Sequence, residues 1–498
     1  MFDMTVLLQV FQWENLLLCF LGTLFGIVVG AIPGLNGAVG VSLLLPITYS
    51  MSPLAGVLML GGIYMGGMYG GSITAILLNV PGDVVAVCTA AEGYPLTLKG
   101  RAKEALYYSI FASAFGGFLG ILALIFFTPP LAKIALSFGP PEMFLTALCG
   151  LMVVGSLSGN SLPKSLFAVS FGLFLGTIGM DRMSTAYRMT FGLDFLRAGI
   201  SVVPLCLGFF CFAEVFSNVG NSRSNQILYK DQKITRREVI VQIIKRPILF
   251  LRSALIGILV GILPGIGGSM AVFVSYGEAK RSSKHPEEYG HGSTEGIIAA
   301  ESANNALVGG ALVPLLALGV PGSPVAAILA CALTMQGIVC GPDLFVLRPD
   351  VAYSFLYGMM LTVGFMLLIG AFGIKYFSYI LKPKMKYITP IVLAFAIFGA
   401  YSINNSVSEV FIAIFFGLLG VCFRHFEIPV SPVIIGATLS SLIELNLRRT
   451  LQMASATDIG LASFFLKRPI SVVLMVVVAV FFVMFFLMKG KKEKERQQ

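Results

Sequence analysis

The sequence is poor in charged residues and in histidine. Asp, Glu, Lys and Arg together make up 12% of the 498 residues, about half the share in an average soluble domain, so they cannot coat a water-soluble globule. The eight cysteines form no Cys-x-x-Cys pair, and we interpret them as small buried residues. Residues 1–18 contain no Lys or Arg, which is not typical of a cleavable signal peptide, and we expect the first apolar run to stay in the mature chain.

Apolar residues dominate the rest of the composition, at 57% of the chain. The 55 glycines follow no Gly-x-y period and form no low-complexity stretch, which excludes collagen and disorder. The net charge of +10 comes from basic residues bunched between apolar runs, a pattern typical of loops at a lipid bilayer and not of a nucleic-acid patch. The sequence therefore predicts an all-α polytopic membrane protein with about ten to thirteen transmembrane spans.

An internal repeat runs through the chain. Residues 26–37 recur at 257–268, and residues 69–82 match 308–322 at an offset of about 239 to 240. A third, weaker match sets 155–176 against 399–420. Glycine-rich membrane helices can resemble one another by composition, but three ordered blocks at slowly growing offsets favour a duplication.

The basic residues indicate how the two halves lie in the membrane. Residues 222–252 before the second block hold eight Lys or Arg, whereas the N-terminus before the first block holds none. After the blocks the bias is reversed: residues 99–103 of the first half are basic, and the equivalent residues 343–350 of the second half are more acidic. Since Lys and Arg mark cytoplasmic loops, equivalent loops lie on opposite sides, which predicts an inverted-topology repeat. We expect a first membrane repeat over 1–221, a basic cytoplasmic linker over 222–247, a second membrane repeat over 248–466, and an extra C-terminal helix with a basic tail over 467–498.

Two Pro-Gly pairs interrupt the apolar runs of each half, at 33–34 and 81–82 and then at 264–265 and 321–322. A helix broken inside a membrane frees N–H and C=O groups, which must bind protein, water or a ligand. Half-helix N-termini attract anions, and free carbonyls bind cations. The same small residues also suit close helix packing alone. The predicted substrate-binding residues are Gly34, Leu35, Asn36, Gly37, Ser72, Thr74, Gly265, Gly267, Gly268, Ser269, Asn304, Asn305, Pro321, Gly322 and Ser323.

A cation site is a second hypothesis. Glu301 lies in an apolar run, where a charge is costly, and Asn304 and Asn305 follow at i+3 and i+4 on the same helical face. That face could hold a cation or a proton, or Glu301 could simply bond to the two amides. Asp83, directly after the second break, is either part of a site or the cap of the next helix. The predicted cation-site residues are Asn79, Pro81, Gly82 and Glu301.

Enzyme chemistry finds little support in the sequence. The three histidines, at 285, 291 and 425, lie in or beside charged loops, so a buried nucleophile would lack a base. No Gly-x4-Gly-Lys-Ser/Thr motif is present for ATP. We expect no enzyme and no cofactor, with energy supplied by an ion gradient or a separate subunit.

Several of these motifs resemble a known family. Residues 30–37 (GAIPGLNG) with 44–48 (LLPIT), residues 69–82 (YGGSITAILLNVPG) and residues 295–323 are similar to the large membrane subunit of the tripartite tricarboxylate transporters. The resemblance covers nearly the whole chain. Asp83 departs from it, since related sequences often have a small or polar residue at that position.

The resemblance implies a multi-pass protein of the bacterial inner membrane that takes up carboxylates with a cation gradient. It also implies two protein partners, a small membrane subunit and a periplasmic substrate-binding protein. The alternative is a non-transporting scaffold or channel subunit in which the breaks serve packing alone. Tricarboxylates, dicarboxylates and aromatic acids all stay open as substrates, and Na⁺ and H⁺ as the coupling ion.

Overall fold

The computed structural model describes residues 4–32, 35–157, 162–181, 183–218, 236–263, 268–380, 385–457 and 460–479. These residues are almost all helical, which confirms the prediction of an all-α fold. Within them, five helices are long and apolar enough to cross a membrane, and eight shorter helices are apolar. The five are Trp13–Gly30, Pro53–Leu78, Ala102–Ala135, Pro349–Phe377 and Val407–His425.

Ten α-helices lie in the described residues of the first half. They are α1 (Met4–Val10), α2 (Trp13–Gly30), α3 (Gly37–Thr48), α4 (Pro53–Leu78), α5 (Val87–Leu98), α6 (Ala102–Ala135), α7 (Pro140–Leu157), α8 (Leu162–Gly176), α9 (Val202–Cys206) and α10 (Ala213–Asn218). Short 3₁₀ turns cover Val84–Ala86 and Asp194–Leu196, and a π-helical segment covers Leu207–Phe212. Strands β1 (Gly179–Met180) and β2 (Tyr187–Arg188) pair antiparallel, with Gly179 opposite Arg188.

The second half has a similar succession of helices. They are α11 (Arg236–Ile244), α12 (Pro247–Ile262), α13 (Gly268–Ser282), α14 (Thr294–Leu318), α15 (Pro324–Met335), α16 (Leu344–Leu347), α17 (Pro349–Ile380), α18 (Met385–Asn404), α19 (Val407–His425), α20 (Ser431–Ala456), α21 (Leu461–Leu466) and α22 (Pro469–Ala479). One further 3₁₀ turn covers Pro286–Glu288. Part of the predicted linker is thus helical: α11 packs on α6 and buries Val239.

Helices α4 and α14 form the centre of the molecule, and almost every residue in them is buried. Each pairs along its length with the helix that precedes the first break of its own half, α4 with α2 and α14 with α12. Glycine permits this approach: a Cβ at Gly26 would lie 2.4 Å from the carbonyl oxygen of Ile63, and one at Gly257 would lie 2.3 Å from that of Ala303. The repeat seen in the sequence is therefore also a repeat of contacts.

The contacts fix the alignment of the second block. Gly70 faces the Ile27 carbonyl as Gly310 faces that of Ile258, because a Cβ would lie 2.5 Å and 2.6 Å from the respective oxygens. Gly70 therefore corresponds to Gly310, at an offset of 240. The sequence comparison that set Gly70 against Gly309, at 239, was wrong by one residue, because a Gly-Gly pair in each half allows both registers.

The two halves are interlocked and do not form separate bodies. Helix α6 of the first half packs on α14 and α12, and α17 of the second half packs on α4 and α2. Helix α20 packs on α7 and α8, while α19 packs on the π-helical segment of the first half. Each half thus completes the core of the other.

Candidate functional site

The two central helices meet at equivalent positions. Asn305 Nδ2 donates to the main-chain carbonyl of Met65 at 3.4 Å, and these residues are 240 apart. The adjacent Asn304 donates through Nδ2 to the carbonyl of Met68, one turn along α4 from Met65, at 3.1 Å. The middle of the molecule is therefore a contact between the corresponding segments of the two halves.

All four predicted breaks separate helices. Residues 33–34 and 264–267 lie outside the described residues, between α2 and α3 and between α12 and α13. The other two breaks follow α4 and α14, which both end on a left-handed residue, Asn79 at φ 55° and Gly319 at φ 74°. Asparagine and glycine are the residues that most readily adopt this conformation, which ends a helix.

Polar side chains cap three of the helices that begin after a break. Asn36 Oδ1 accepts from Val39 N at 3.0 Å at the start of α3, and Ser323 Oγ accepts from Ala326 N at 3.1 Å at the start of α15. Asp83 Oδ1 accepts from the N–H of the next residue at 2.6 Å. Of the two roles considered for Asp83, the structure supports the helix cap.

The helix starts are paired across the two halves. The start of α3 packs on α4, where Gly37 lies against Gly67, and α3 also packs on α15. Tyr64 of α4 binds the start of α15, because its hydroxyl shares a 2.9 Å hydrogen bond with Ser323 Oγ. We call the starts of α3 and α15, with their caps Asn36 and Ser323, the first tip pair.

An equivalent pairing occurs around α14. Gly268, at the start of α13, lies against Leu307 of α14 and against Val85 in the 3₁₀ turn that follows Asp83. The start of α13 thus meets the start of the α5 region, while the starts of α3 and α15 both lie next to Tyr64. We call the starts of α13 and of the α5 region the second tip pair. In both, a helix that follows a break in one half packs on an element that follows a break in the other.

Two unpartnered acceptors lie on the central helix α14. Asn304 Oδ1 and Asn305 Oδ1 are buried and have no hydrogen-bond partner in the described structure. A buried polar atom without a partner is costly, which favours a bound group there. Helix N-termini supply positive dipole ends to an anion, while the two amide oxygens can accept from a hydroxyl or bind a cation.

The two tip pairs differ in exposure. Pro81, Gly82 and Asp83 are partly exposed, whereas the corresponding Pro321, Gly322 and Ser323 are buried. The breaks of the two halves therefore do not have the same access to the surroundings.

Glu301 occupies a separate pocket. Its side chain is fully buried and accepts hydrogen bonds from Ser72 Oγ at 2.6 Å, Thr89 Oγ1 at 2.5 Å and Ser113 Oγ at 2.7 Å. The amide nitrogens of Asn304 and Asn305 donate elsewhere, so the alternative in which Glu301 simply bonds to these amides is wrong. Three hydroxyls from other helices bind the carboxylate in place of the two amides.

The remaining residues predicted to bind substrate or a cation lie at several separate positions. Thr74 donates to the carbonyl of Gly71 in its own helix, so its hydroxyl is already bonded. Asn79 is exposed at the end of α4, and Gly82 N donates to the Gly71 carbonyl at 3.3 Å, one residue from Ser72. Leu35 is buried between the first break and α3. Four predicted positions lie outside the described residues or have an undescribed side chain: Gly34, Gly265, Gly267 and Ser269.

Sequence reasoning missed Tyr64, Thr89, Ser113 and Glu92. Thr89 and Ser113 are ordinary small polar residues of apolar helices, and Tyr64 lies in a glycine-rich run. Glu92 was detectable as a further acid beside an apolar run: it is fully buried, and its carboxylate accepts from the N–H groups of residues 290, 292 and 293 and from Tyr276. These bonds tie α5 to the loop before α14.

Two other acids in apolar runs are bound by basic residues. Glu214 pairs with Arg424 at 2.5 Å, and Glu444 with Arg188 at 2.5 Å. In the described part of the chain, no cluster of three or more His, Cys, Asp or Glu could hold a metal ion.

The fold and the tip pairs define a multi-pass membrane protein built around interrupted helices. Residues 16–435 match the family described as the Tripartite tricarboxylate transporter TctA family, and the chain belongs to this family. This confirms the resemblance seen in the motifs. Membership points to a transporter and not to an enzyme, and to a system with further subunits.

Two relatives come from Agrobacterium vitis. The chain is similar to an uncharacterized 52.8 kDa protein in the TAR-I ttuC' 3' region, with 36% identity over 468 residues that cover 93% of this chain and 91% of the relative. It is also similar to an uncharacterized protein in the TAR-II ttuC' 3' region, with 34% identity over 219 residues that cover 44% of this chain and 89% of the relative. No solved structure matches the chain.

Proposed function

We propose that this chain is the large membrane subunit of a tripartite secondary transporter that takes up tricarboxylates or related carboxylates with a cation gradient. A periplasmic binding protein delivers the substrate and a small membrane subunit completes the system in the bacterial inner membrane. Family membership supports the class. The observation that carries the proposal is the crossed pairing of helix starts, because it brings positive helix ends from both halves to one place.

In this proposal the two halves, 1–221 and 248–466, are oppositely oriented in the membrane. The reversed distribution of Lys and Arg around equivalent breaks supports the orientation. The matched contacts at an offset of 240 support the common origin of the halves. The linker at 222–247 is cytoplasmic, and residues 467–498 are an addition to the repeat.

The carboxylate binds at the first tip pair. Its helix starts are capped by the neutral side chains of Asn36 and Ser323, and Tyr64 adds a hydroxyl. The second tip pair carries Asp83, whose negative charge repels an anion. Asn304 and Asn305 of the central helix α14 accept from hydroxyl groups of the substrate.

Unequal exposure of the breaks supports alternating access. Transport requires a site that opens to one side at a time, and the breaks at Gly82 and Gly322 are respectively partly exposed and buried. Rocking of one half relative to the other would exchange these environments.

Counterflow tests the proposal. The chain and its small membrane subunit are placed in proteoliposomes with the binding protein outside, and exchange of labelled citrate, succinate and benzoate is measured with and without Na⁺. We expect exchange of at least one acid, and its loss in Asn36→Ala. Absence of exchange for every acid under every gradient would favour the scaffold or channel alternative.

A further inference from the structure

The carboxylate of Glu301 lies in the hydroxyl pocket, which we define as Glu301 with Tyr69, Ser72, Thr89, Ser109 and Ser113. Three of these hydroxyls donate to Glu301 at 2.5 to 2.7 Å. They come from three helices, α4, α5 and α6, while Glu301 is on α14. The pocket therefore forms only when helices of both halves are in place.

The carboxylate has no basic partner in the described structure. The side chains of α4, α5 and α6 that bind it are the hydroxyls of Ser72, Thr89 and Ser113. An ionised carboxylate buried without a counter-charge costs several kcal/mol even when it is hydrogen-bonded. Charged residues of the surrounding helices are bound elsewhere: Glu104 by Arg101, Glu295 by Arg246, Arg252 and Arg281 by Glu278, and Glu92 by the N–H groups at 290–293.

The spacing of the oxygens favours a proton over a metal ion as the counter-charge. Oxygen ligands about 2.4 Å from a hard cation lie about 3.4 Å apart in octahedral geometry. The hydroxyl and carboxylate oxygens are 2.5 to 2.7 Å apart, which is the spacing of direct O–H···O hydrogen bonds. A proton fits this spacing, whereas a metal ion would have to push the hydroxyls away.

Two further buried hydroxyls lie on α4 and α6. Tyr69 and Ser109 are fully buried, and their oxygens have no hydrogen-bond partner within the described chain. They lie one turn from Ser72 and Ser113 on the same faces of α4 and α6. When Glu301 takes up a proton, its new O–H can donate to the oxygen of Ser72, Thr89 or Ser113, because a hydroxyl oxygen accepts as well as donates.

We propose that the hydroxyl pocket is a proton-binding site and that Glu301 carries the coupling proton of transport. This inference rests on the proposed function and deepens it by naming H⁺ as the coupling ion. The carboxylate binds one proton from the water on one side of the membrane and releases it to the other. The counterpart of Glu301 at the offset of 240 is Gly61, so the repeat supplies no second carboxylate at this position.

The first test measures transport in the same proteoliposomes. An imposed pH gradient should drive accumulation of the exchanged acid by the wild type. Glu301→Gln should keep counterflow and lose this accumulation, because a permanently neutral side chain can no longer release a proton. Accumulation that depends on a Na⁺ gradient in the wild type, or that survives in Glu301→Gln, overturns the proposal.

The second test needs no transport. Infrared difference spectra of the purified complex are recorded across pH, and the C=O band of a protonated carboxyl should titrate in the wild type and be missing in Glu301→Gln. Thr89→Val should raise the midpoint by about one pH unit, since one hydrogen bond to the charged form is lost, and Thr89→Ser should restore it. A wild type without this band overturns the proton site. A titrating band together with absent counterflow would instead refute the proposed function alone.

Glu92→Gln is the matched control. Glu92 is also fully buried, but main-chain N–H groups bind it. Its substitution should lower the unfolding temperature and leave both the pH-driven accumulation and the Glu301 band in place. If Glu92→Gln removed accumulation in the same way, a general effect of buried carboxylates would explain the data and the proposal would fail.

Discussion

Asn305 donates its side-chain amide to the carbonyl of Met65, the residue that occupies the corresponding place in the other half. The contact marks the point where the two halves meet, and the residues there have diverged. Tyr64 corresponds to Asn304, and Gly61 to Glu301. The two central helices of the duplicated scaffold thus carry different side chains at equivalent positions. The proposed carboxylate and proton sites use the residues that differ.

Asn305→Ala should raise the KM of carboxylate exchange while the protein still reaches the membrane. The substitution removes the unpartnered Oδ1 together with the bond to Met65, and the loss of one ligand hydrogen bond corresponds to about tenfold in affinity. Exchange and membrane expression are measured together. Asn446→Ala is the control, because Asn446 donates to the Leu442 carbonyl in its own helix. Normal exchange by Asn305→Ala would remove this residue from the site.

Asp83→Asn should bind carboxylate more tightly than the wild type. Asparagine caps a helix as well as aspartate does, and removing the negative charge lowers repulsion of an anion by about 1 kcal/mol. The KM of exchange should therefore fall, with the unfolding temperature unchanged. Asp83→Ala separates the two effects, since it loses the cap and should cost about 1 kcal/mol of stability. A raised KM in Asp83→Asn would mean that the carboxylate itself takes part in binding.

Gly257→Ala should destabilise the protein. The new methyl group would lie 2.3 Å from the carbonyl oxygen of Ala303, so α12 and α14 would have to move apart, at a cost of about 1 to 3 kcal/mol. Gly26→Ala should act alike on α2 and α4. Gly277→Ala is the control, because a Cβ at this position on α13 would meet no other part of the described structure within 4 Å beyond the neighbouring turns of its own helix, and it should stabilise the helix by up to about 1 kcal/mol. Thermal unfolding in detergent measures all three variants.

The breaks, the caps and the repeat could be predicted from the sequence because they depend on local chemistry. Proline removes a donor, glycine permits a close approach, and Asn36 or Ser323 caps the helix that it precedes. The hydroxyl pocket could not be predicted in this way. Ser72, Thr89 and Ser113 lie 229, 212 and 188 residues from Glu301, and their contacts depend on how helices of the two halves interlock.

The loop between α8 and α9 should make stability depend on pH through Asp181. The N–H groups of Ser184 and Met183, at 2.8 and 2.7 Å, and the guanidinium of Arg448 hold the pKa of this carboxyl well below its usual value. A lowered pKa in the folded state stabilises the protein above the unfolded value, near pH 4. This stabilisation is lost as the pH falls below that value.

Thermal unfolding between pH 6 and pH 3 checks this prediction. The gap in unfolding temperature between the wild type and Asp181→Asn should be widest at pH 6 and narrow steadily below about pH 4. Asp194→Asn in the same loop is the control, since this carboxylate is 83% exposed and its pair with Arg197 contributes little. A gap that stays constant down to pH 3 would mean that Asp181 acts through packing and not through its charge.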